Sequence, residues 1–421
     1  MEFHSLAPRA PMAVAGLCSF LCAAAAAQST LDPVVVTATR EPMALSRVTA
    51  DVVLIDRATI EASTADSVED LLRREAGLQL SRTGGPGQSA GVMIRGANVS
   101  QTVLLIDGIR VGSATAGQPA FEALSLLQID HIEVLRGPAS SLYGADAIGG
   151  VVQIFTRRGS ADSRFGASAA VGSQASNQAD VHLSGLYGAL DYAVSIGHEQ
   201  SDGVSALLPS EPFGDYNPDR DGFARETGQI RLGYALADGH HIGLNVIESH
   251  LNSQYDSAEF PPPDFSPDAS PDFRNHLTNR IASLDYRGQL TPAWAMTAQI
   301  SHDEEDLKSG ANDVSHFVTR RDQAIWQNAW TPLAGQQLIG AVEYVDERGS
   351  SDTYAASVQR HNTAFVAGYS GTFGAHSVQA DVRYDDNSIY GSVTTGRLGW
   401  SMALLPGLRV RALAGTTFRA P

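Results

Sequence analysis

At 421 residues, with 43% hydrophobic and 18% charged residues, the chain can bury a core and has room for two domains, which excludes a disordered segment. A net charge of −17 leaves no basic face large enough for nucleic acid. Both cysteines, Cys18 and Cys22, lie near the start, so disulfide scaffolds, thiol catalysis and cysteine–zinc centres are excluded from everything downstream.

Residues 1–27 read as a secretory signal peptide. Arg9 supplies the positive start, Met12–Phe20 with Leu21 and Cys22 the apolar stretch, and Ala25-Ala26-Ala27 before Gln28 the cleavage site. The apolar run falls short of the roughly 20 residues of a membrane-spanning helix. Bulky Phe20 and Leu21 ahead of Cys22 argue against a lipid anchor. No later segment is an apolar spanning helix, so membrane residence must be through strands.

Residues 28–45 form a leader in which only Asp32-Pro33-Val34-Val35-Val36-Thr37-Ala38 has strand character. A β-branched run in a flexible leader suits addition to the edge of a partner's sheet, or it is the first strand of the next domain. Residues 46–160 mix short strands with one short helix, an α+β domain with glycine-rich loops. Ser67-Val68-Glu69-Asp70 resembles a capping box, Val68, Leu71 and Leu72 form the apolar helix face, and Gly77 is a stop. Val103-Leu104-Leu105-Ile106 before Asp107-Gly108 is a buried strand closed by a turn, and Ile132-Glu133-Val134-Leu135 is another.

Beyond residue 160 the hydrophobic period becomes two. Val378, Ala380, Val382 and Tyr384 alternate with Gln379, Asp381 and Arg383, and Ile230, Leu232, Tyr234 and Leu236 do so with Arg231, Gly233 and Ala235. Tyr192, Val194 and Ile196 continue the pattern. Short turns such as Ala237-Asp238-Gly239 alternate with long polar connections such as 201–222 and 251–276. A soluble β-sandwich would need fewer such strands; roughly a dozen in a row after a signal peptide indicate an antiparallel transmembrane β-barrel over 161–421.

In this order the parts resemble the TonB-dependent receptor family. The likeness is carried by the 32–38 segment, Asp70-Leu71-Leu72-Arg73-Arg74 with Gly77, Ile94-Arg95-Gly96 and Leu105-Ile106-Asp107-Gly108-Ile109-Arg110. It continues through Glu133-Val134-Leu135-Arg136-Gly137-Pro138, Ser141-Leu142-Tyr143-Gly144 and Ala147-Ile148-Gly149-Gly150-Val151-Val152-Gln153-Ile154. The resemblance implies an α+β plug domain inside an antiparallel transmembrane β-barrel in the outer membrane, in contact with its lipid. It also implies that Asp32, Pro33, Val34, Val35, Val36, Thr37 and Ala38 are a TonB box. That segment is then expected to bind TonB, which the inner-membrane ExbB–ExbD motor drives with the proton gradient. A plugged barrel needs about 22 strands. The sequence stops at Thr417-Phe418-Arg419-Ala420-Pro421 without a terminal aromatic, so the barrel is expected to be incomplete and the chain a fragment.

Within the family the likeness is to receptors for cobalamin (vitamin B12), with a ferric siderophore as the alternative ligand. Two plug loops are implied to meet the ligand, through Gln88 and Ser89 in Thr83–Ala90 and through Ser113, Thr115 and Gln118 in Val111–Gln118. Asp219-Arg220-Asp221-Gly222-Phe223, Tyr255-Asp256 and Asp272 match loops that would hold Ca²⁺ through Asp219, Asp221, Tyr255, Asp256 and Asp272. Ser205 stands where the family carries an aspartate, with Asp202 nearby. An EF-hand is rejected, because its twelfth position would be Gly228 and Pro218 is ill-placed. Porins have no use for a plug and TonB box, and signalling receptors carry an extra domain before the box. No enzyme is expected, since no hydrolase, Walker or zincin motif is present.

Overall fold

The structure, a computed structural model, describes residues 32–260, 262–266, 272–352, 356–405 and 408–420. The expected signal peptide, with Cys18 and Cys22, lies outside the described residues. Among the described residues no helix is long and apolar enough to cross a membrane.

The N-terminal region opens with a small hairpin of β1 (Val34–Val35) on β2 (Met43–Ala44). Next come β3 (Asp51–Ile55), α1 (Arg57–Ala62) and α2 (Val68–Leu72). Asp56 and Ser67 cap the two helices, accepting from the Thr59 and Asp70 amides at 2.8 and 3.2 Å. A second hairpin joins β4 (Leu78–Arg82) to β5 (Ala90–Ile94). The remaining elements are β6 (Thr102–Ile106), β7 (Ile109–Val111), β8 (Ile129–Arg136), α3 (Ser140–Tyr143) and β9 (Gly150–Thr156).

Five strands form one sheet in the order β3-β8-β9-β6-β7, with only β6 and β9 parallel. Strands β6 and β9 are buried along their whole length, which explains their largely apolar composition, with Gln153 the one polar residue inside β9. Asp107 and Gly108 both take positive φ, 49° and 86°, in the tight turn between β6 and β7. The single expected helix is three short ones; turns of four to six residues are too brief to show a period of 3.6.

Thirteen strands of the described residues then follow as one antiparallel sheet in sequence order. They are β10 (Arg164–Val171), β11 (Asn177–Tyr187), β12 (Leu190–Ser201), β13 (Phe223–Ala237) and β14 (His240–Gln254). β15 (Arg274–Thr291), β16 (Trp294–Gly310), β17 (Ser315–Leu333) and β18 (Gln336–Ser351) continue the series. It ends with β19 (Val358–Phe373), β20 (His376–Asn387), β21 (Gly391–Leu405) and β22 (Leu408–Gly415). Strands β10 and β22 are the sheet's edges and do not pair with each other, so the wall is an open arc around the plug.

The alternation works in an inverted sense. Ile230, Val246, Leu284, Ile300, Trp326, Tyr344, Phe365, Val382 and Leu398 are exposed on the outer face, while Asp303, Arg321, Asp381, Arg383 and Arg397 are buried against the plug. An apolar exterior around a charged, filled interior is stable only where lipid covers the outside. The buried charges are paired, Arg321 with Asp303 at 3.0 Å, Arg383 with Glu343 at 2.6 Å and Arg397 with Asp381 at 2.7 Å.

The plug core of Ile55, Leu72, Ile94, Leu104, Phe121, Ile132 and Ile154 reaches into the wall at Ile247 and Ile281. Each large aliphatic side chain buried there contributes about 1.5–3 kcal/mol. Tight connections at 188–189, 238–239, 292–293, 334–335 and 374–375 lie at one end of the wall, and the long 202–222 and 255–273 connections at the other.

Candidate functional site

At the short-turn end, the segment read as a free strand is stowed. Val34 and Val35 pair with Ala44 and Met43, and Val35, Thr37 and Ala38 are fully buried. The buried Glu133 carboxylate accepts from the Val36 amide at 3.0 Å and the Thr37 amide at 2.7 Å. Thr37 Oγ1 donates to Gln153 at 2.9 Å, and the Tyr143 hydroxyl donates to the Thr37 carbonyl at 2.9 Å. From the wall, Gln379 and Arg397 both donate to the Ala38 carbonyl at 2.8 Å. Arg40, just beyond, pairs with Glu343 and donates to the Leu142 carbonyl at 3.0 Å.

A strand that can pair with a partner can also pair at home, and local sequence carries no information about which it does. Of the holding residues, Glu133 left a trace in the sequence, as a lone acid inside the apolar run Ile132–Leu135. Gln153 leaves a similar trace between Val152 and Ile154, while nothing local marks Tyr143, Gln379 or Arg397 for this role.

At the opposite end the glycine-rich loop 83–89 packs against the wall. Gly87 has φ +81°, and a Cβ there would sit 2.5 Å from that of Phe223, so this glycine permits a close approach to the 223 strand rather than to open solvent. Gln88, expected to face a ligand, is 1% exposed and donates to the Gln254 carbonyl. Ser89 is half-buried at the loop's base, its carbonyl accepting from the Thr83 amide at 3.2 Å.

The second loop is better placed. Ser113 and Thr115 share a hydrogen bond of 2.9 Å, and the Ala114 amide donates to Thr319 at 2.9 Å. Ser113, Thr115 and Gln118 line a cavity of about 270 Å³ between plug and wall.

The outer-loop acids divide. Asp256 organises the 202–222 loop, accepting from Ser205 Oγ at 3.1 Å and from the Leu207 and Asn217 amides at 2.8 and 2.9 Å. Ser205 therefore answers to Asp256 rather than replacing a ligand. Asp221 accepts from the Ala206 amide at 2.6 Å through one oxygen, and its other oxygen is buried without a hydrogen-bond partner. Burial pushes the Asp221 carboxyl up to about 6, with Asp256 adding to it against the Ala206 amide, and burial also raises Asp219.

Asp272 is instead committed to Arg274 at 2.7 Å and Gln254 at 3.1 Å, which hold it low despite partial desolvation. The Tyr255 hydroxyl bonds Ser309 at 3.0 Å. Among the described residues no group of three or more His, Asp or Glu converges closely enough to hold a metal. A buried, unpartnered carboxylate oxygen facing a second carboxylate is nonetheless what a hard cation would relieve, so Asp221 and Asp256 fit calcium and Asp272 does not as it stands.

An arc of lipid-facing strands around a separate α+β plug, with a docked segment at the short-turn end and polar loops at the other, defines a plugged outer-membrane receptor. Comparison with known proteins makes this specific. The TonB-dependent Receptor Plug Domain family matches residues 44–151, and the TonB dependent receptor-like, beta-barrel family matches residues 149–421. The chain belongs to the TonB-dependent receptors, proteins of the outer membrane.

It is 32% identical over 415 residues to the vitamin B12 transporter BtuB of Photobacterium profundum, covering 97% of this chain and 66% of that protein. The BtuB of Vibrio cholerae is 30% identical over 394 residues, covering 93% of this chain and 63% of that one. The chain thus spans about two thirds of the length of these relatives. Among solved structures, the siderophore receptor PirA from Acinetobacter baumannii superimposes with a TM-score of 0.72 at 18% identity, covering 88% of this chain and 61% of that one. The ferric enterobactin receptor PfeA of Pseudomonas aeruginosa gives 0.74 at 18% identity, covering 88% and 63%. At that identity the likeness concerns the fold.

Proposed function

We propose that this protein takes up a corrinoid, vitamin B12 or a close analogue, across the outer membrane by TonB-dependent active transport. The observation that carries it is the placement of the 32–38 segment. It is docked by hydrogen bonds at the short-turn end, across the plug from the long loops, so releasing it and binding a ligand happen on opposite faces. Ligand would bind over the Ser113–Gln118 loop, with the 202–222 and 255–273 loops ordered above it by calcium on Asp219, Asp221 and Asp256. The freed segment would pair with TonB, and force relayed from ExbB–ExbD would displace the plug. No bond in the ligand changes, so the chain is no enzyme. The corrinoid is preferred to a ferric siderophore because the B12 transporters are 30–32% identical over nearly the whole chain, whereas the siderophore receptors share only 18%.

The test is cobalamin uptake by cells carrying the protein, beside the same cells with Val35→Pro. Proline removes a ladder donor from the docking strand, so uptake should stop while binding survives. Uptake at an undiminished rate would remove the segment's coupling role. Tight binding of a ferric catecholate with none of cobalamin would transfer the case to the siderophore.

A further inference from the structure

The plug meets its wall in two different ways. Along β14–β15 the contact is largely apolar, with Ile247 and Ile281 in the plug's own core and Leu251 and Leu277 packed on Ala123, and it is flanked by polar contacts of Arg231, Asn245 and Gln299 to Asp107. The Ser249 hydroxyl donates to the Ala123 carbonyl at 2.7 Å, and the void between these surfaces is about 40 Å³. Along β17–β20 the contact is a polar seam. The 270 Å³ cavity under the Ser113–Gln118 loop adjoins a second of about 100 Å³, and the two share Arg110, Asp146, Arg321, Glu347 and Arg360 as lining. The second cavity ends at Arg40 and Glu343, beside the stowed segment at the short-turn end.

We infer that the transported ligand crosses the membrane along this β17–β20 seam and not along β14–β15. This rests on the transport reading above. The two cavities are too small for a corrinoid, so the plug must shift away from one side of the wall. Parting the apolar contact exposes hydrocarbon to water with nothing to replace it. Parting the seam breaks the Arg40–Glu343 pair and the hydrogen bonds from Arg321 and Gln323 to the Arg110 and Gly112 carbonyls, which water from the adjoining cavities can replace, while the pairs within the wall stay intact. The seam also ends at Arg40, two residues past Ala38. Once the contacts of residues 34–38 are released, further pulling on the segment loads the Arg40–Glu343 pair, so coupling and opening act on the same place.

The test uses single cysteines in the full chain, whose only other cysteines are Cys18 and Cys22. Val345→Cys places a thiol in the second cavity, at a half-buried residue outside every ion pair, and Ala123→Cys places one under the apolar contact. During energised cobalamin uptake, a small thiol reagent should modify Cys at 345 about tenfold faster or more than at rest, with no change at 123. A bulky maleimide at 345 should then block uptake and leave cobalamin binding intact. Acceleration at 123 instead of 345, or uptake past the bulky adduct, overturns the seam while leaving transport standing. No energised uptake by the unmodified protein overturns both.

Discussion

Replacing Glu133 with glutamine is the most direct probe of how the coupling segment is held. The side chain keeps its length, and Glu133 is completely buried, so solvent cannot substitute for what is lost. Glu133 accepts the Val36 amide on both oxygens at 3.0 Å and the Thr37 amide at 2.7 Å. Hydrogen bonds to a charged acceptor contribute about 1.5–3 kcal/mol each, neutral ones about 0.5–1.5. Glutamine retains one neutral acceptor and turns an amide NH₂ towards a backbone donor. The expected loss is about 2 kcal/mol, a roughly 30-fold rise in the undocked fraction. Hydrogen exchange at the Val36 and Thr37 amides should accelerate by about that factor, while amides of β6 and β9 keep their protection. Tyr143→Phe, which removes one neutral bond to the Thr37 carbonyl, should give only a few-fold effect. Unchanged protection at Val36 and Thr37 in the Glu133→Gln protein would refute the docking argument. Equal loss of protection across β6 and β9 would show a structural carboxylate instead.

Removing Arg40 should undock the segment less than removing Glu343, because Glu343 also pairs with Arg383 at 2.6 Å and its loss strands two guanidiniums; exchange at Val36 in Arg40→Ala and Glu343→Gln compares them. Asp221 has its carboxyl raised from 3.8 to about 6, so its contribution to loop order is complete below pH about 4 and is lost as pH rises through 6. Proteolysis of the 202–222 loop without calcium should therefore speed up across that window, Asp221→Asn should flatten the profile, and calcium at pH 7 should protect only the wild-type loop. Burial pushes Glu122 up to about 8, with Glu69 adding to it, so stability falls as pH rises from 4.5 to 8. Glu122→Gln should raise the unfolding midpoint at pH 8 and leave it unchanged at pH 4, measured by thermal scans.

The two-part architecture was legible in the sequence, because its signals are local. The apolar run Val103–Ile106 requires burial on both faces, and period two after residue 160 requires strands with unlike faces. The sequence also showed which loops are long, while the grouping of Asp221 with Asp256 came only from the family resemblance. Where the 32–38 segment lies depends on the assembled fold, since its partners Glu133, Gln379 and Arg397 are about 100 to 360 positions away and no periodicity marks them. The assembled fold likewise places Gln88 against the Gln254 carbonyl, packs Gly87 on Phe223 and pairs Asp272 with Arg274. A hydrogen bond or an ion pair depends on which side chains the wall and plug together bring within about 3 Å, and that is a property of their assembly, not of any window of sequence.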